Sequence, residues 1–107
     1  MRRLQVALVC LALASCSKSP EEAAKAHAAD LLRDPSSAQF RNVRVTGSHV
    51  CGEINGKNGF GAYSGFVRFH GDKDTAEIDP GDGGPTFNGQ PVLKTAFESS
   101  YKIWCGA

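Results

Sequence analysis

The chain has little of what usually announces chemistry. It contains no G-x-S-x-G, no H-E-x-x-H, no C-x-x-C and no H-x-x-x-H, so the commonest hydrolase and zinc-site signatures are excluded. Charge of one sign is also missing. Twelve Lys and Arg face eleven Asp and Glu, which argues against nucleic acid, whose binders carry a marked basic excess. No apolar run reaches the roughly 20 residues that span a bilayer; the longest, Leu4 to Ala14, is eleven residues and is broken by Gln5. There is no internal repeat and no low-complexity tract.

What is present begins at the N-terminus. Met1-Arg2-Arg3 is a short positive segment, the apolar run follows, and Leu13-Ala14-Ser15-Cys16 closes it with small residues before a cysteine. This stretch resembles a bacterial lipoprotein signal peptide, with Leu13-Ala14-Ser15-Cys16 as its lipobox. The resemblance implies that residues 1–15 are removed and that Cys16 carries acyl chains such as palmitate. Residues 16–19 then form a lipidated tether, and residues 20–107 form one small domain in the cell envelope, facing the periplasm. Ser17 after the lipidated cysteine resembles outer-membrane lipoproteins of enteric bacteria. Lys18-Ser19 resembles a retention signal of other Gram-negative lineages; of the two, the outer membrane is slightly favoured over the inner membrane.

That processing changes the arithmetic. Losing Arg2 and Arg3 leaves ten basic against eleven acidic side chains, a net −1. With Lys18 the only basic residue near the anchor, membrane attachment rests on the acyl chains, at about 0.8 kcal/mol per buried methylene. Cys10 leaves with the signal and Cys16 takes lipid, so Cys51 and Cys105 remain. An exported domain this small tends to join such a pair as a disulfide.

Along the mature chain, Ser19-Pro20-Glu21-Glu22 reads as a capping box with Pro at the first helical position. It predicts a helix from Pro20 to about Arg33, stopped by Asp34-Pro35. Ala24, Ala28, Leu31 and Leu32 form its apolar stripe, and the large side chains at its end predict docking there only. Phe40, Val43 and Val45 read as a strand, Val50 to Ile54 as a second, Tyr63 to His70 as a third, and Thr75 to Ile78 as a short fourth. Asp79 to Gln90, with four glycines and two prolines, reads as loop. Leu93, Ala96, Phe97, Ser100, Tyr101 and Trp104 then recur at three and four residues, one face of an amphipathic helix. The predicted class is α+β: an N-terminal helix, a three- or four-stranded antiparallel meander, a C-terminal amphipathic helix packed on the sheet, and one disulfide. The expected core is Phe40, Val43, Val45, Val50, Ile54, Val67, Phe69, Ile78, Leu93, Phe97, Tyr101 and Trp104.

The run from Val50 to Phe66 resembles a block V-C-G-E-(V/I)-N-x-K-N-x-(F/Y)-G-x-Y-x-G-F found in small, uncharacterised bacterial exported proteins. There a stretch like Asp34 to Phe40 precedes it, and a helix ending in Trp and Cys follows. The resemblance covers about the whole mature domain. It implies no activity and supports only the pairing of Cys51 with Cys105.

Glu53, Asn55, Lys57, Asn58 and Tyr63 place a carboxylate, two amides, an ammonium and a phenol around one hairpin tip, the mixture a binding surface wants. Tight turns need Asn and Gly in any case, so the same residues also read as turn chemistry with a solvated rim. His49, Cys51, His70 and Cys105 have the ligand types of a zinc site but not its spacing, and export favours the disulfide. Asp72, Asp74, Glu77, Asp79 and Asp82 miss the EF-hand pattern and read as a solvated acidic loop. We expect no metal and no cofactor. A carboxylate pair such as Glu53 with Asp79 is the thin basis for an enzyme, a hydrolase at most. The expected function is a non-enzymatic, lipid-anchored envelope protein with a protein partner and no nucleic acid. The alternative is a small inhibitor of the lysozyme-inhibitor type, which Gly61-Ala62-Tyr63 resembles faintly and whose all-β fold does not accommodate two helices.

Overall fold

Ser19 opens the first helix as the sequence predicts. Its Oγ accepts the Glu22 N–H at 3.2 Å, and Pro20 takes the first helical position. The computed structural model describes residues 19–106; the signal segment, the lipobox and all of the tether except Ser19 lie outside the described residues. Helix α1 spans Pro20–Asp30, three residues shorter than the periodicity suggests. The N–H groups of Leu31 and Leu32 bond to the carbonyls three residues back, tightening the last turn. A 3₁₀ turn follows at Pro35–Ser37.

Four strands then form an antiparallel meander in chain order: β1 Gln39–Thr46, β2 His49–Asn55, β3 Val67–Gly71 and β4 Ala76–Ile78. Strict alternation would set Phe40 and Val43 on opposite faces. A register shift between Arg41 and Arg44, with Asn42 at φ 54°, resolves the conflict. The extra residue of this bulge lets both apolar side chains point to the same face.

That face meets α1. Val50, Ile54 and Phe69 are fully buried there, beside Ala24 and Ala28 of the helix, and Phe40 stacks edge-on against Phe69 at 5.4 Å. The helix therefore docks through its alanines and along most of its length, not at its C-terminal end alone. Ala24 and Ala28, four apart, share one stripe, and their small side chains bring the helix backbone close to the sheet. Gly71 is a comparable close approach, because a Cβ there would lie 2.5 Å from the Thr75 carbonyl oxygen.

The segment after Ile78 holds more structure than a loop. Thr86–Phe87 (β5) and Gln90–Pro91 (β6) pair around Asn88-Gly89, both at positive φ, the backbone of a type I′ hairpin. Helix α2, Val92–Cys105, covers the other face of the meander. Phe97 is its buried residue, and Cys51 and Cys105 are disulfide-bonded with their Cα atoms 6.0 Å apart. Arg44 adds a hydrogen bond from its guanidinium to the Cys105 carbonyl at 2.6 Å.

Four expected core residues are half exposed instead: Val45, Val67, Leu93 and Trp104, at 46, 41, 50 and 54%. The physical reason is coverage. Helix α1 lies across β2, β3 and β4, which leaves the far end of the edge strand β1, with Val45, uncovered. On α2 the disulfide and Phe97 set the contact line, so the residues at the two ends of the helix stand at its rim.

Candidate binding cleft at the histidine pair

The face of the sheet under α2 is polar. Alternation puts His49, Cys51 and Glu53 of β2 there, with Arg68 and His70 of β3. His70 pairs across the sheet with Cys51 on one side and with Glu77 of β4 on the other. This register draws His49, His70 and Glu77 into a diagonal row. His49 Nε2 and His70 Nδ1 are 2.9 Å apart, so one imidazole donates and the other accepts. Glu77 Oε2 lies 3.1 Å from His70 Nε2, but off the direction of a ring N–H. That buried nitrogen thus has a charged neighbour and no aligned hydrogen bond.

The last turn of α2 lays Trp104 flat on His49, ring centroids 4.6 Å apart and planes 13° from parallel. Phe97 and Tyr101 enclose His70 from the same helix, at 5.5 and 6.0 Å. Both histidines are buried, at 8 and 4% exposure. Burial pushes both imidazoles below their ordinary 6.5, against the opposing pull of Asp72 and Glu77, so at neutral pH they are uncharged. The outer wall is the β3–β4 turn, where Asp72 Oδ1 accepts the N–H groups of Asp74 and Thr75 at 2.8 and 3.0 Å. These hydrogen bonds hold its carboxyl below the usual range. The open cleft that these residues line measures about 230 Å³.

Beside it stands an ion network. Arg68 reaches Asp79 at 3.0 Å and also Glu98, while Lys94 joins the same two carboxylates at 3.4 and 3.7 Å. Burial pushes the Asp79 carboxyl up, but the Gly81 N–H, Arg68 and Lys94 outweigh it and hold the pKa below the usual range. The Arg68 guanidinium also lies over the Tyr101 and Phe97 rings, at 4.9 and 5.5 Å.

The five candidates at the hairpin are placed differently. Asn55 is buried and its Oδ1 accepts the Gly65 N–H at 2.9 Å. Asn58 Oδ1 accepts the N–H groups of Phe60 and Ala62 at 2.9 and 3.2 Å. Tyr63 donates its hydroxyl to the Ser37 carbonyl at 3.0 Å, and the Lys57 N–H donates to Ser37 Oγ at 2.9 Å. Lys57 and Tyr63 do come together, the ammonium 5.6 Å from the ring centroid. Glu53 stands apart and accepts from Arg41 at 2.9 Å and Asn42 at 2.7 Å. The polar groups of this loop thus fasten it to itself and to the 3₁₀ turn.

His49, Cys51, His70 and Cys105 do share one face, with both sulfurs in the disulfide. Among the described residues no group of three or more His, Cys, Asp or Glu is arranged to hold a metal ion. Asp72, Asp74 and Asp79 each serve a separate turn or ion pair rather than a common centre. Among the described residues no helix is long and apolar enough to cross a membrane.

Sequence reasoning missed the membership of Asp72, Glu77 and Trp104 in this cleft. The signal was available in part. Reading Gly71-Asp72-Lys73-Asp74 as the β3–β4 turn sets His70 opposite Glu77. The position of Trp104 depends on how α2 crosses the sheet, which helical periodicity does not specify. No protein-family model, no curated protein and no solved structure matches this chain.

Proposed function

We propose that this chain is a non-enzymatic, lipid-anchored protein of the cell envelope that binds another protein through the side of its C-terminal helix. The observation that carries the reading is the exposure of large apolar side chains there. Phe87, Val92, Leu93, Ile103 and Trp104 are 71, 42, 50, 76 and 54% exposed, and Phe87, Val92 and Thr95 line a shallow apolar groove. Large exposed apolar patches on a small domain mark interaction sites. The lipobox resemblance supplies the anchor. Ser17, Lys18 and Ser19 reach about 10 Å even when extended, and α1 adds about 16 Å along its axis, so the partner lies at or in the membrane.

The test is crosslinking in cells with a photoreactive residue at Phe87 or Ile103, set against a control on the α1 side at Asp30. A specific adduct from the first two positions, absent from the control and from a Phe87→Ser/Ile103→Ser background, supports the reading. Equal labelling at all positions, or no protein adduct, overturns it. Inhibition of lysozyme by the mature domain would shift the reading to a small envelope inhibitor.

A further inference from the structure

The histidine cleft has a chemistry that the apolar surface beside it does not explain. Its wall carries two carboxylates, Asp72 and Glu77, and no lysine or arginine. The neighbouring Lys73 turns to Asp74 instead, at 3.1 Å. Asp72 uses Oδ1 within its turn, and Glu77 keeps a half-exposed side chain. His70 Nε2 is buried without an aligned partner. With the Glu77 carboxylate 3.1 Å away, the favourable tautomer places the hydrogen on Nε2 and lets Nδ1 accept from His49. Trp104 adds an aromatic ring with His49 on one face and half of its surface open. Carboxylates and an indole face are together what a cation recognises.

We infer that this cleft receives the cationic side chain, lysine or arginine, of the partner protein. The inference rests on the protein-binding reading and names the chemistry the partner must bring. An anion would meet two negative charges at short range. An apolar group would strip water from the carboxylates, a costly outcome for charged groups. Size narrows the choice further. About 230 Å³ falls below the 300–1,000 Å³ typical of small-molecule sites and suits the end of one side chain. Half-exposed Trp104 lines the cleft, so a protein that covers it is placed to insert such a side chain.

The experiment uses the mature chain and three small probes: the N-acetyl methylamides of arginine, lysine and citrulline, the last an uncharged isostere of arginine. Trp104 is the only tryptophan, so its fluorescence and its indole N–H resonance report the cleft directly. The expected result is a saturable change with the arginine or lysine amide at concentrations where citrulline gives at least tenfold less. An Asp72→Asn/Glu77→Gln variant, which keeps the acceptor atoms of the turn, should weaken it about tenfold with near-ultraviolet circular dichroism unchanged. No saturable change up to about 50 mM, an equal response to citrulline, or an unaltered response in the variant each overturns the inference. The probes read the cleft alone. Their failure beside a successful crosslink removes the cation site and leaves the docking surface, and the reverse pair of results removes the docking surface.

Discussion

Removing the Cys51–Cys105 bond should cost most of what holds α2 to the sheet. The bridge joins residues 54 positions apart. The chain-entropy estimate for a loop of that length is about 14 cal/mol/K, or about 4 kcal/mol at 25 °C. Against the 5–15 kcal/mol that stabilises an ordinary domain, that is a large share. The other attachments of α2 are the burial of Phe97, Tyr101 against His70 and Arg68, the Arg44 bond to the Cys105 carbonyl, the Trp104–His49 stack, and the pairs Arg68–Glu98 and Lys94–Asp79. A Cys51→Ala/Cys105→Ala variant should therefore lose the Trp104–His49 contact first. In a urea titration its tryptophan fluorescence should move at lower denaturant than its far-ultraviolet dichroism, while the wild type shows coincident transitions. The α1 face does not touch the bridge, so its core of Val50, Ile54 and Phe69 should hold the sheet after α2 has left. A variant that unfolds within 1 kcal/mol of wild type, with coincident probes, would refute the claim that the disulfide secures α2.

Acid should destabilise the fold in two windows. His49 and His70 sit below 6.5 in the folded state because of burial, so the unfolded chain binds protons first as pH falls. Stability then rises with pH up to about 6.5 and is flat above it for these groups. Denaturation at pH 5, 6, 7 and 8 should show this slope, and a His49→Gln/His70→Gln variant should lack it. The carboxyls of Glu53, Asp72, Asp79 and Glu98 are held low, so their contribution is present above about pH 4.5 and disappears as pH drops through their folded values. Phe69→Ala should cost about 3–5 kcal/mol, a full core deletion, whereas Trp104→Ala at its half-exposed position should cost about 2 kcal/mol; equal losses in thermal melts would contradict the burial pattern. Gly71→Ala should cost about 1–3 kcal/mol through the clash with the Thr75 carbonyl, and a melt unchanged from wild type would show that the turn relaxes freely.

Much of the architecture is legible in the sequence because it is written in local chemistry. Ser19-Pro20 caps a helix wherever it occurs, period-two alternation separates Val50 and Ile54 from Cys51 and Glu53, and period 3.6 marks α2. The antiparallel meander, expected with three or four strands, follows from those signals in chain order; the Cys51–Cys105 bond is expected instead from the two cysteines left once Cys10 and Cys16 are assigned to the signal and its lipobox. Asn88-Gly89 was an equally local signal, hidden within a segment rich in glycine and proline. The mixed polar residues from Glu53 to Tyr63 were visible as a group, but composition alone does not separate a loop that binds from a loop that fastens itself.

What only the tertiary structure decided concerns which faces meet. Ala24 and Ala28 carry no strong signal of burial, since an alanine is as content in water as against a sheet; the close approach of α1 makes them core. Trp104 belongs to the apolar stripe of its helix, yet the position of the bridge at Cys105 sets it at the rim, against His49 rather than beneath it. His49, His70, Asp72 and Glu77 lie on three strands and a turn, and beyond the β3–β4 turn that sets His70 opposite Glu77, nothing in their spacing along the chain brings them together. Strand register does so, because hydrogen bonding between antiparallel strands sets distant residues side by side and turns separate, ordinary side chains into one cleft.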